Sequence, residues 1–188
     1  MSNDFQGLVD EGVEAWNSWR FDHPEVVPDV SNLSFDYLEL ARINFSGMNF
    51  DYVTLSAANL TQANFNKASL DHTDLSDAML NQATFVDADA KCVNMFGASL
   101  VGADLTRTKM SECSLRDTDL TGAKFTDADL TVAYVKDANV VDTVFTGADL
   151  GRAIFENTVL TAAQLKSAAN LEAIQGIDPQ DLKATKGR

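Results

Sequence analysis

An all-β solenoid is the fold class this sequence predicts, and three observations predict it. Apolar residues recur at every fifth position from Phe35 to Leu165 without an insertion, a second column of small residues runs two places ahead of them, and no proline interrupts the run. The main column begins Phe35, Leu40, Phe45, Phe50, Leu55, Leu60 and ends Phe155, Leu160, Leu165; only Ala90 in it is small. The second holds Ala58, Ala63, Ala68, Thr73 and Ala78, then Ala98, Ala103, Thr108, Cys113, Thr118 and Ala123.

A period of five fits neither an α-helix, around whose axis such residues would wander, nor a long strand, in which an odd step flips them from face to face. The chain must therefore turn a corner in each repeat. Within a repeat, the column residue and the residue two before it share a strand face and point inward, and the other three point out. Those outward positions carry nearly all the charge. Gly47, Gly97, Gly102, Gly122 and Gly147 sit two places after a column residue, where a turn can require a positive φ, so the corners fall there. Without proline, each N–H is free to pair with the coil above or below.

The segments NLTQANF, DLSDAML, SLVGADLT, DLTGAKFTDADL and GADLGRAIF resemble the A(D/N)LXX pattern of the pentapeptide-repeat family over roughly Leu33 to Leu160. The resemblance implies a right-handed quadrilateral β-helix with four repeats, hence twenty residues, per coil. Spacing alone leaves two choices. A step of twenty aligns Phe45, Phe65, Phe85, Leu105, Phe125, Phe145 and Leu165 as an aromatic ladder, and a step of fifteen also collects five phenylalanines.

Both ends read as short α-helical caps over the open core of the solenoid. Phe5, Leu8, Val9, Val13, Trp16 and Trp19 or Arg20 follow helical spacing, so residues 1–24 form one amphipathic helical cap ended by Pro24, with a linker at 25–32. Leu33, Leu38, Ile43 and Met48 enlarge the first inner column to receive it. The repeat body spans 33–160. In 161–188, Thr161 and Gln164 form a capping box, Asp178 and Pro179 start a second short helix, and a basic tail runs from Lys183 to Arg188.

The 45% hydrophobic content suffices for one continuous core, and the sequence shows neither a membrane span nor a signal peptide. Cys92 and Cys113 are too few for a disulfide framework and lack metal-site spacing, which fits a reducing, cytoplasmic setting. Cys92 points outward and Cys113 inward, so the two do not pair. His23 lies beside Pro24, and His72 is an outward residue with no second histidine to join it. Acid pairs such as Asp87 with Asp89, Asp117 with Asp119 and Asp127 with Asp129 read as turn formers rather than calcium ligands. Straight columns on a convex body converge on no cleft, so we expect no enzyme, no catalytic residue, no cofactor and no metal.

Function then rests on the surface. The net charge of −14 disfavours direct nucleic-acid or membrane contact and favours a protein partner or simple solubility. Between Leu33 and Leu160 eighteen acids face nine bases; the segment before is net −6 and the segment after net +1. With four faces, Asp36, Asp74, Asp77, Asp117, Asp137 and Glu156 fall on one, and Asp51, Asp71, Asp89, Glu112, Asp129 and Asp149 on its neighbour. Some members of the resembled family, the quinolone-resistance proteins, bind DNA gyrase, a type II topoisomerase, by imitating a DNA rod, and protect it from inhibitors. About 6.5 coils at about 4.8 Å make a body roughly 31 Å long, so net −9 is about one charge per 3.5 Å, half the density of duplex DNA at about one per 1.7 Å. Lys67, Lys91, Arg107, Lys109, Arg116 and Lys124 interrupt it, and the projecting loops and cysteine-containing repeats of many such proteins are missing. A non-catalytic interaction module is the first reading and a gyrase-binding DNA mimic the alternative. Outward slots also hold Tyr134, Val141, Ile154 and Val159, a surface for a partner, a homodimer through the C-terminal end or a covering C-terminal helix.

Overall fold

A computed structural model describes residues 5–31 and 33–177. Parallel bridges join residues twenty apart, beginning with Glu39 to Asn59, Asn44 to Asn64, Asn49 to Ser69 and Thr54 to Asp74, and continuing to Tyr134 with Ile154. Each coil thus contains four repeats. Of the two spacings open from sequence, twenty is the one observed.

The repeat at Leu60 shows how the backbone is satisfied. Leu60 N–H donates to Met79 O and Gln62 N–H to Asn81 O in the next coil, Asn64 N–H donates back to Ile43 O, and Ala63 N–H closes a turn on Leu60 O, all at 2.8–2.9 Å. Four of five donors are consumed. The fifth, on Thr61, points away from the ladder and is taken by the Asn59 side chain, Oδ1, at 3.2 Å. Asp74 serves Ser76 N–H in the same way, Asp104 serves Thr106, Asp119 serves Thr121, Asp129 serves Thr131 and Asp149 serves Gly151. At other corners the acceptor comes from the adjacent coil, as when Asp51 takes Asp71 N–H, Asn66 takes Val86 N–H and Asn81 takes Val101 N–H.

The corners do not depend on glycine. The residue two after the column position has a positive φ whether it is glycine or not, from 52° at Cys92 to 67° at Arg42. A left-handed non-glycine residue costs about 1–2 kcal/mol, which the cross-coil bonds offset at each corner.

Both inward columns are buried, and the aromatic ladder is present in two pieces. Phe45 and Phe65 have ring centroids 5.5 Å apart, Phe65 and Phe85 stack at 5.0 Å and 3°, Leu105 interrupts, and Phe125 and Phe145 resume at 5.5 Å and 13°. Threonine replaces alanine in the second column at no polar cost. The hydroxyls of Thr73, Thr108, Thr143 and Thr158 donate at 2.8 Å to the carbonyls of Phe50, Phe85, Leu120 and Val135 in the preceding coil.

Two helices stand at the N-terminal end where the spacing predicted one: α1, Phe5–Asp10, and α2, Val13–Asp22. Gly12, at φ 100°, makes the break, a conformation natural to glycine. Trp16 is fully buried, with its ring edge-on to Phe45 at 5.5 Å and its indole N–H donating to Asn44 O at 2.9 Å. Arg20 is also buried and donates to Val26 O and Ser46 O. The stretch read as a linker is anchored, since Val30 has no exposed surface.

The ladder does not stop at Leu160. Helix α3, Ala162–Ser167, begins with the capping box between Thr161 and Gln164, and the chain then rejoins the sheet, pairing Asn170 with Asp149 and Gln175 with Ile154. The offset there is one residue longer than in the body, because the short helix spans one corner. Gln164 completes the edge by donating its side-chain amide to Val140 O at 2.9 Å and Thr143 O at 3.0 Å. The second helix expected at Asp178 and Pro179 and the basic tail lie outside the described residues.

Ala63 and Ala123 have no exposed surface. Ala63→Leu or Ala123→Leu is expected to destabilise by about 1–3 kcal/mol through overpacking, read as a lowered midpoint in urea denaturation.

Candidate functional site

With twenty residues per coil, every outward position stacks on its equivalents, and the four corners become four columns of different chemistry. One carries Asp77, Asp117 and Asp137. The second carries Arg42, Gln62 and Gln82, linked by side-chain bonds of 2.9 and 2.8 Å. The third alternates in sign through Lys67, Asp87, Arg107 and Asp127. Arg107 there binds Asp87 through two nitrogens at 2.6 and 2.9 Å and holds its carboxyl below the usual range. The fourth holds Tyr52, His72, Cys92 and Glu112.

The aspartates proposed as mimic faces divide by what their carboxylates do. Asp51, Asp74, Asp129 and Asp149 each accept a backbone N–H, so they are part of the corner structure. Asp89 lies 3.4 Å from Lys109, Asp137 accepts from Asn157 at 2.8 Å, and Asp71 lies 3.0 Å from the His72 ring. Asp77 lies against Gly97, where a Cβ would collide with its carboxylate. Asp117 is exposed. Two of the bases that interrupt the acidity, Arg107 and Lys109, and also Lys136, pair with acids twenty residues away, at Asp87, Asp89 and Glu156.

The four outward apolar residues fall into two pairs. Val141 (58% exposed) and Val159 (86%) line a groove of about 440 Å³ together with Val140, Asp142, Thr143, Thr161 and Gln164. Tyr134, 46% exposed, and the half-buried Ile154 pair in the ladder on the neighbouring face. Helix α3 packs inward through Leu165 and leaves Val159 uncovered.

Neither histidine stands alone. His23 stacks on Trp19 at 4.8 Å and 11°, at the end of α2. His72 stacks on Tyr52 at 5.0 Å and 16°, contacts Asp71, and has Cys92 directly above it one coil on. No second histidine marks this group. The signal that finds it is the twenty-residue separation of His72 and Cys92, usable once the coil length is known. Cys113 is fully buried, and burial pushes its thiol far up. Among the described residues no helix is long and apolar enough to cross a membrane.

Asp129→Ala is expected to cost about 0.5–1.5 kcal/mol by orphaning the Thr131 N–H, whereas Asp117→Ala should stay within about 0.5 kcal/mol. Urea denaturation of the two single variants distinguishes acids that build corners from acids free to meet a partner.

No curated protein matches the chain at the sequence level. Among solved structures, a trypsin-treated form of QnrB1, a plasmid-mediated fluoroquinolone resistance protein, is 14% identical with a TM-score of 0.44, covering 84% of this chain and 90% of its own. A pentapeptide repeat protein from the Arabidopsis thaliana thylakoid lumen is 25% identical with a TM-score of 0.31, covering 74% and 82%. HetL, a pentapeptide repeat protein involved in heterocyst differentiation regulation in Nostoc sp. strain PCC 7120, is 19% identical with a TM-score of 0.27, covering 84% and 91%. The family model described as pentapeptide repeats matches eight copies, over residues 34–66, 58–95, 68–107, 98–133 and 138–171. With most of its length in that match, this chain belongs to the pentapeptide-repeat family.

Proposed function

We propose that the chain is a non-catalytic interaction module: a right-handed quadrilateral rod, closed by helices at both ends, that binds another protein through its C-terminal side. The observation that carries this reading is the exposure of Val141 and Val159 beside a groove of about 440 Å³. Apolar side chains grouped in this way gain about 1.5–3 kcal/mol each when covered. A second copy of the chain is the partner we favour, because a two-fold pairing covers one such patch on each subunit and the residues after Leu160 are net +1, where like-charged rods repel least. Sedimentation of the wild type should give the mass of a dimer at high micromolar concentration, and Val141→Asp with Val159→Asp should give a folded monomer. A monomeric wild type refutes self-association.

The gyrase-binding reading has its own support in the column of Asp77, Asp117 and Asp137, which runs straight along one corner. Against it stand the half-strength charge density and the cross-coil pairs at Asp87, Asp89 and Glu156. In a supercoiling assay poisoned with a quinolone, we expect no rescue by low micromolar protein; a dose-dependent rescue would reverse the ranking of the two readings.

A further inference from the structure

We infer that Asp71, His72 and Cys92 form a binding site for a borderline-soft divalent transition ion, with Zn²⁺ as the fitting case. One ligand atom from each, a carboxylate oxygen, an imidazole nitrogen and the thiol sulfur, lie within 4.8 Å of one another. Zinc takes these three donor types at about 2.0–2.3 Å in a tetrahedron, so its ligand atoms stand about 3.3–3.8 Å apart. The donors therefore already lie within about 1 Å of the spacing that a tetrahedral zinc site requires. The backbone is also fixed in place, since His72 N–H is held by Lys91 O and Cys92 N–H by Ser111 O, each at 3.0 Å. The three donors come from two successive coils, so a bound ion clips one to the next.

The surroundings favour a cation. Glu112 stands one coil beyond Cys92 in the same column and adds an acidic group beside the cluster. The Tyr52 ring covers one face of the His72 imidazole and restricts its rotation. The thiolate and imidazole discriminate against calcium and magnesium, which take oxygen donors. Three protein donors leave a fourth position for water at an exposed corner.

The test uses the full chain, stripped with chelator and dialysed against zinc chloride, calcium chloride or cobalt chloride. One zinc per chain, a dissociation constant at or below low micromolar and no retained calcium are expected, and cobalt should give a thiolate-to-metal charge-transfer band in the near ultraviolet. Cys92→Ser should abolish the band and weaken zinc at least about tenfold, His72→Ala should weaken it comparably, and Cys113→Ala should change neither. Zinc should raise the melting temperature of the wild type but not of Cys92→Ser. The inference is overturned if the dialysed wild type keeps no zinc, or if Cys92→Ser and His72→Ala, shown folded by circular dichroism, bind as tightly as the wild type.

Discussion

One backbone N–H per repeat has no place in the ladder, and the composition of the surface follows from that. Cross-coil bonds and the turn consume the other four donors, as at Leu60, Gln62, Ala63 and Asn64. The donor on the residue after the column position faces the corner, where a short side chain with an acceptor oxygen must reach it. Asparagine and aspartate are the side chains of the right length, which is why they recur just before the column residue. An acidic surface is therefore partly a by-product of folding. The net charge overstates what is available for recognition, because carboxylates such as those of Asp74, Asp129 and Asp149 are already committed to the backbone.

The corner in every repeat and the two inward columns were legible in the sequence because a period of five leaves so few alternatives, whereas the choice of twenty residues per coil rested on the family resemblance. The inward columns, the capping box at Thr161 and an aromatic helix face with Trp16 laid over the first coil follow from local pattern. Features that depend on contacts across coils were less accessible. Glycine overstates its role at corners, since the left-handed conformation there is imposed by cross-coil bonding on Tyr52, Lys67 and Asp87 alike. The helical period from Phe5 to Arg20 hides the break at Gly12, which preserves the apolar stripe while changing the direction of the chain. The return of the chain to the ladder at Asn170 and Gln175 is invisible to a strict five-residue frame, because α3 shifts it by one. Among site residues, Tyr134 with Ile154 and Val141 with Val159 were found as outward apolar residues, but their division between two faces needs the fold.

The two ends solve the same problem with different chemistry. A solenoid edge exposes unpaired carbonyls and N–H groups, and side chains meet part of that edge at both ends here. At the first coil, Trp16, Asn17 and Arg20 from α2 bond to the carbonyls of Asn44, Arg42 and Ser46. At the last, Gln164 alone reaches two carbonyls, and the chain behind α3 supplies the rest of the edge. The N-terminal cover buries Trp16 but leaves Phe21 in solvent, and the C-terminal one buries Leu165 but leaves Val141 and Val159 in solvent.

A rod with a strict twenty-residue coil also separates its corners chemically. Substitutions at one corner column leave the other three untouched, so each can carry its own surface. The amide chain through Arg42, Gln62 and Gln82 is neutral over most of its length, the column with Arg107 and Asp87 cancels its own charge, and only the column of Asp77, Asp117 and Asp137 presents a run of one sign. A partner that follows a phosphate backbone needs like charge on two strands around the rod, whereas these edges alternate in kind from corner to corner. For the proposed interaction role, the choice of partner then turns on which edge or end is presented rather than on the total charge of the rod.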